Sequence, residues 1–111
     1  RQRQVNSLLQ KAIAEYLRDE GDEGLKGFLT ITGVDTSPDL EYAKVFFSVI
    51  GQAPEEVLEI LKRHIYELQG TLNHKLTMRK VPRISFVYDD TGEYAGRIRK
   101  IMQDMTHDDS Q

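Results

Sequence analysis

Two apolar runs with strand periodicity, GFLTITGV over 27–34 and EYAKVFFSVI over 41–50, constrain the fold of this chain more than any other feature. In the first, Leu29, Ile31 and the small Gly33 alternate with Phe28, Thr30, Thr32 and Val34. In the second, Ala43, Val45, Phe47 and Val49 alternate with Tyr42, Lys44, Phe46 and Ser48. Period-two alternation of β-branched and aromatic residues predicts strands that bury one face. DTSPDL separates the runs, where Pro38 lacks a backbone donor and its Asp and Ser neighbours favour a turn. The expectation is an antiparallel hairpin with a long connection, and a hairpin alone is too small to be stable without a covering layer.

Helices supply that layer. Val5, Leu8, Leu9, Ala12, Ile13, Tyr16 and Leu17 recur at the spacing of a helix with one buried stripe, ended by Gly21 and Gly24. Gly51 stops the second strand, and Pro54, Glu55 and Glu56 suit the first turn of a helix whose stripe is Val57, Leu58, Leu61, Ile65 and Leu68. Leu72 and Leu76 continue the stripe across Gly70, where glycine costs a helix interior ~1 kcal/mol relative to alanine. Two helices meeting at Gly70 are therefore expected. After Val81 and Pro82, RISFVYDD alternates Ile84, Phe86 and Tyr88 against Ser85 and Val87. A last helix is expected from about Thr91, with Tyr94, Ile98, Ile101, Met102 and Met105 on one stripe. The order α-β-β-α-α-β-α predicts an α+β fold, a three-stranded sheet with helices packed on one face. One domain over 1–105 is expected, with 106–111 as a frayed tail.

At 111 residues, 39% hydrophobic and 30% charged, the chain suits one globular domain. It has no cysteine, so disulfides and thiolate metal ligands are excluded. No apolar run approaches the ~20 residues of a membrane helix, and no targeting segment is visible, although the chain begins at Arg1 without a methionine, so that a presequence could have been removed. The net charge of −3 hides an uneven distribution. Lys62, Arg63, Lys75, Arg79, Lys80 and Arg83 face only Glu67 within their span, while acidic clusters occupy 19–23, 55–59 and 104–109. Polarity of this kind can orient an acidic molecule on a polyanion.

Catalysis finds no constellation. His64, His74 and His107 form no metal-ligand pattern, and His64 is expected on a helix face at the core margin. Asp89 and Asp90 point to opposite faces, and Asp90 or Thr91 suits the cap of the last helix. The serines lack a nucleophile-elbow context. No catalytic residue, metal or cofactor is expected. Literal GxxG strings occur at 21–24 and 24–27, but two acidic side chains within the first would repel a phosphate. A helix beginning at Thr71 after Gly70 would instead offer free N–H groups to an anion, followed by Lys75 and Arg79 on one edge and Lys80 and Arg83 in the loop into the strand. The residues alone leave this edge open between a polyanion site and the solvated back of an amphipathic helix. Tyr42, Phe46 and Phe28 are read as core under the last helix rather than as stacking surfaces for bases, and Arg97, Arg99 and Lys100 as a secondary patch.

GFLTITGVDTSPDLEYAKVFFSVIG and KVPRISFVYDDTGEYAGRI together resemble the ribosome-binding factor A family over roughly Arg3 to Met102. The resemblance implies a single KH-like (type II) domain and a non-catalytic, cytoplasmic, monomeric assembly factor. It implies binding to the small ribosomal subunit and its rRNA during late maturation, notably in cold-adapted growth, with ribosomal proteins and an assembly GTPase as further partners and no membrane. The family replaces the KH glycine loop by an Ala-x-Gly kink, which falls here on Leu68, Gln69 and Gly70, keeping the glycine and not the alanine. RNA contact is expected at Lys62, Arg63, Gly70, Thr71, Lys75, Arg79, Lys80 and Arg83, by charge and shape rather than by reading a single strand. The alternatives are a free-standing KH-like binder of single-stranded RNA, or a protein interaction module using the hairpin face around Tyr42 and Phe46.

Overall fold

A computed structural model of the chain describes residues 2–90. It contains α1 (Gln2–Glu20), β1 (Phe28–Thr36), β2 (Tyr42–Ile50), α2 (Pro54–Lys75) and β3 (Arg83–Tyr88). The expected last helix, its Arg97, Arg99 and Lys100, and the tail lie outside the described residues. The sheet has the order β1-β2-β3, with β1 and β2 antiparallel and β2 and β3 parallel. Parallel neighbours cannot be joined by a tight turn, so α2 supplies the crossover.

The α+β layer is as expected, with α1 lying over β1 and α2 over β3. Leu9, Ile13, Val45, Phe47, Val57, Leu61, Leu68 and Leu72 are the buried centre of the core, and Ile84 and Phe86 close it from β3. Leu8, expected in the α1 stripe, is exposed. Among the described residues no helix is long and apolar enough to cross a membrane.

β1 departs from strict alternation. Ile31 pairs with Phe47 and Gly33 with Phe46, so Thr32 is an extra residue and the register shifts there. A bulge moves every later side chain to the other face. Val34 and Thr36 therefore join Leu29 and Ile31 on the side of Val45 and Ala43, rather than opposing them, and the strand runs on to Thr36. The bulged Thr32 donates its hydroxyl to Asp89 Oδ2 at 2.9 Å, which gives Asp89 a role across the sheet.

Both sheet edges are tied down by amide side chains. On β1, Gln10 Nε2 donates to the Ile31 carbonyl at 3.0 Å, Gln2 Nε2 donates to the Thr36 carbonyl at 2.8 Å, and Asn6 Oδ1 accepts from the Thr36 N–H at 3.1 Å. Unpaired edge groups invite pairing with another chain, and α1 occupies them instead. On β3, Gln69 of α2 donates to the Pro82 carbonyl at 2.9 Å and accepts from the Ile84 N–H at 3.1 Å. Gln69→Ala should break both contacts and destabilise the domain by roughly 1–3 kcal/mol. Urea titration would register this as a lower midpoint with an unchanged slope, and an unaltered midpoint would count against the clamp.

Candidate nucleic-acid interface

α2 runs from Pro54 to Lys75 as one helix, and this corrects the expectation of two helices meeting at Gly70. The packing explains the continuity. Leu68 and Leu72 are fully buried on one stripe that spans the glycine, so the core holds the helix together across a residue of low propensity. Thr71 is then not a helix start, and its N–H lies within α2 rather than being offered to an anion. Gly70 itself is exposed on the outer face. Because α2 ends at Lys75, Arg79 lies in the connecting segment, and the helical i, i+4 relation to Lys75 does not hold.

Lys62, Arg63, Lys75, Arg79, Lys80 and Arg83 are all exposed. The sequence carries no carboxylate between Gly70 and Tyr88, yet the fold brings two there from elsewhere. Lys75 Nζ lies 3.7 Å from Glu15 of α1, and Lys80 Nζ lies 3.5 Å from Glu41, the residue before β2. Exposed pairs of this length contribute ~0–1 kcal/mol and are easily exchanged for another anion. Lys62, Arg63, Arg79 and Arg83 make no ion pair with other described residues. Lys80 and Arg83 line a shallow cleft of about 230 Å³ with Glu41, Tyr42, Gln69 and Asn73. This cleft joins the C-terminal half of α2 to the strand edge, whereas Lys62 and Arg63 stand on the outer face of α2 two turns earlier.

The glycine strings are not phosphate cradles. Gln52 Oε1 accepts from the N–H groups of Lys26 at 2.9 Å and Gly27 at 3.3 Å, while its amide donates to the Gly24 carbonyl at 2.6 Å. The N–H of Gly24 donates to Asp22 at 2.7 Å. A Cβ at Gly27 would meet the Ile50 carbonyl oxygen at 2.4 Å, so close backbone approach accounts for that glycine.

His64 sits at the core margin as expected, inside a polar network. Its Nε2 donates to Asp22 at 2.5 Å, and Nδ1 lies 3.3 Å from the Tyr16 hydroxyl, which donates to Glu67 at 2.6 Å. The His64 contact, followed by the Gly24 N–H, holds the Asp22 carboxyl below the usual carboxylate range. Burial, and then the bond to Glu67, pushes the Tyr16 hydroxyl upward, while the same bond holds Glu67 down. Glu67 stands three residues after His64, a pairing the search for metal-ligand spacing passed over, and the ligand atoms of Glu20, His64 and Glu67 lie within 4.8 Å of one another. His64 and Glu67 are committed to Asp22 and Tyr16, so the group joins α1, the following loop and α2.

Sequence reasoning also passed over Tyr66, Gln69 and Gln52. Tyr66 lies off the apolar stripe of α2 and is 93% exposed. Position on the helix could have flagged it, but nothing local announces that Gln69 and Gln52 reach backbone groups far away in the chain.

A mixed three-stranded sheet covered on one face by α1 and α2, with exposed cations about one end of α2, defines a small α+β domain of KH-like type. A family model described as ribosome-binding factor A matches residues 1–102, and the chain belongs to that family. It is 32% identical over 107 residues to ribosome-binding factor A of Legionella pneumophila, covering 96% of this chain and 87% of that protein. The crystal structure of ribosome-binding factor A from Thermus thermophilus matches with a TM-score of 0.74 at 25% identity, over 83% of this chain and 99% of that one. A Thermus thermophilus homology model fitted into the cryo-EM map of a 30S complex with the factor matches with a TM-score of 0.66 at 27% identity, over 78% of this chain and 92% of that one.

Proposed function

We propose that this chain is a non-catalytic assembly factor that binds the small ribosomal subunit through its rRNA during late maturation. The observation that carries the reading is family membership over residues 1–102, with a relative of the same fold fitted into a 30S complex. The exposed cations support a contact surface formed by Lys75, Arg79, Lys80 and Arg83, with Lys62 and Arg63 farther along α2. Gly70 contributes by its small size on the outer face, and Thr71 by its position between Gly70 and Lys75 rather than by a free N–H. An rRNA phosphate entering the cleft would displace Glu41, the carboxylate partner of Lys80, which water already screens.

Work by such a factor is conformational. Preference for one immature arrangement of the subunit shifts the population toward it, by no more than the difference in affinity. The place of action is then the cytoplasm, where small subunits assemble, and the partners are rRNA first, with ribosomal proteins and an assembly GTPase around it. With the glycine strings closed by Gln52, recognition of folded RNA by charge and shape fits better than a four-nucleotide clamp.

Gradient sedimentation of the chain with purified small subunits tests this. Comigration is expected, with log affinity falling against log salt by roughly 0.7–0.9 per phosphate neutralised. Failure to comigrate, or comigration with protein that persists after nuclease digestion, would count against the rRNA reading and favour a protein interaction surface.

A further inference from the structure

Tyr66 and Gly70 sit one turn apart on the outer face of α2, and the packing among the described residues explains neither. Tyr66 is 93% exposed, so its ring buries almost nothing. Gly70 has no positive φ, and a Cβ built there would meet nothing within 4 Å among the described residues, so neither backbone conformation nor close approach within them calls for glycine. Alanine there would favour the helix by ~1 kcal/mol. The two positions make sense together. Helical side chains lean toward the N-terminus, so a long side chain at 70 would reach back over the turn that carries Tyr66, although a Cβ alone would not touch it. Glycine leaves the C-terminal side of that ring uncovered. Toward the N-terminus the same ring neighbours Lys62 and Arg63, four and three residues back, both exposed. Glu67 beside it is engaged by Tyr16 at 2.6 Å, Glu55 and Glu56 belong to the first turn of the helix, and Glu59 lies one turn before Lys62 and Arg63, on the side away from Gly70.

We propose that Tyr66 is a stacking platform for an unpaired base of the RNA partner, with Lys62 and Arg63 holding the phosphates beside that base and Gly70 keeping the ring face open. The proposal rests on the rRNA reading above and adds a contact that is not electrostatic. Every base has a π-face, so an aromatic ring next to cations accepts a base displaced from a helix without reading its identity.

Affinity for purified small subunits, measured by cosedimentation over a salt series, separates the possibilities. Tyr66→Ala is expected to weaken binding about tenfold, and Tyr66→Phe to retain it, since stacking needs the ring and not the hydroxyl. Tyr66→Leu should bind as weakly as Tyr66→Ala, because an apolar side chain without a π-face does not replace the ring. The loss should be a parallel displacement of log affinity against log salt, whereas removal of a phosphate contact lowers the slope. Gly70→Leu should weaken binding with Tyr66 intact, and the thermal midpoints of the Tyr66 variants should stay within about 2 °C, as befits an exposed side chain. Equal binding by Tyr66→Ala and the unaltered chain overturns the platform and leaves the rRNA reading standing. Equal loss in Tyr66→Phe and Tyr66→Ala also overturns it. No binding by the unaltered chain overturns both.

Discussion

Reversing two charges at once, as Arg79→Glu with Lys80→Glu, is expected to weaken binding to small ribosomal subunits by about 100-fold or more at moderate salt. A charge-assisted contact contributes about 1.5 kcal/mol or more, and 1.4 kcal/mol is a factor of ten. The salt slope should fall by roughly 1.4–1.8, because two phosphates would no longer be neutralised. Folding should survive. Both side chains are exposed, and the Lys80 contact with Glu41 that the change removes is an exposed pair at 3.5 Å. Measuring affinity and slope together matters, since a misfolded protein loses affinity at every salt concentration whereas a lost phosphate contact changes the slope. Cosedimentation indistinguishable from the unaltered chain would take the segment after α2 out of the interface.

Leu68→Ala is expected to destabilise the domain by roughly 2–5 kcal/mol. Leu68 is 0% exposed and belongs to the same buried stripe as Leu61 and Leu72. Truncation leaves a cavity between α2 and the sheet that the surrounding side chains only partly fill. For a domain of this size the thermal midpoint should drop by roughly 10–20 °C, as differential scanning calorimetry would record. A midpoint within about 3 °C of the original would contradict the burial of Leu68 against the sheet.

The same stretch shows how far the linear pattern reaches. Leu68, Leu72 and Leu76 carry one stripe through Gly70, and two outcomes are compatible with it: a break at the glycine, or a continuous helix whose glycine faces outward. Intrinsic propensity favours the break by ~1 kcal/mol, while burial of Leu68 and Leu72 favours continuity by more. Packing outweighs propensity here, and packing depends on a sheet that the local sequence does not contain. Val34 is a parallel case. Its parity in the alternating run puts it opposite Ile31, but the bulge at Thr32 restores it to the core side, and no residue type in TITGV by itself dictates which position is extra.

Charge was legible in kind and not in arrangement. The basic bias between Lys62 and Arg83 stands in the sequence, and all six of those side chains do reach solvent. Their separation into a cleft at Lys80 and Arg83 and an outer helix face at Lys62 and Arg63 depends on where α2 ends. Their partial neutralisation by Glu15 and Glu41 depends on α1 and β2 crossing nearby. Tyr66 lacked a signal of the usual sort, since its significance lies in an absence of packing around it.

By itself the sequence determined the elements between Gln2 and Tyr88, the hairpin, the side of each helix that enters the core, and the excess of positive charge late in α2 and beyond. These follow from periodicity and composition, which act over a few residues. Only the tertiary structure decided that α2 continues through Gly70, that Gln52 closes the glycine loop, that Gln69 clamps the β3 edge, and that two lysines meet distant carboxylates. Each of those depends on groups 13 or more residues apart being held within a few ångströms, a relation that burial of a shared core imposes and no local propensity encodes.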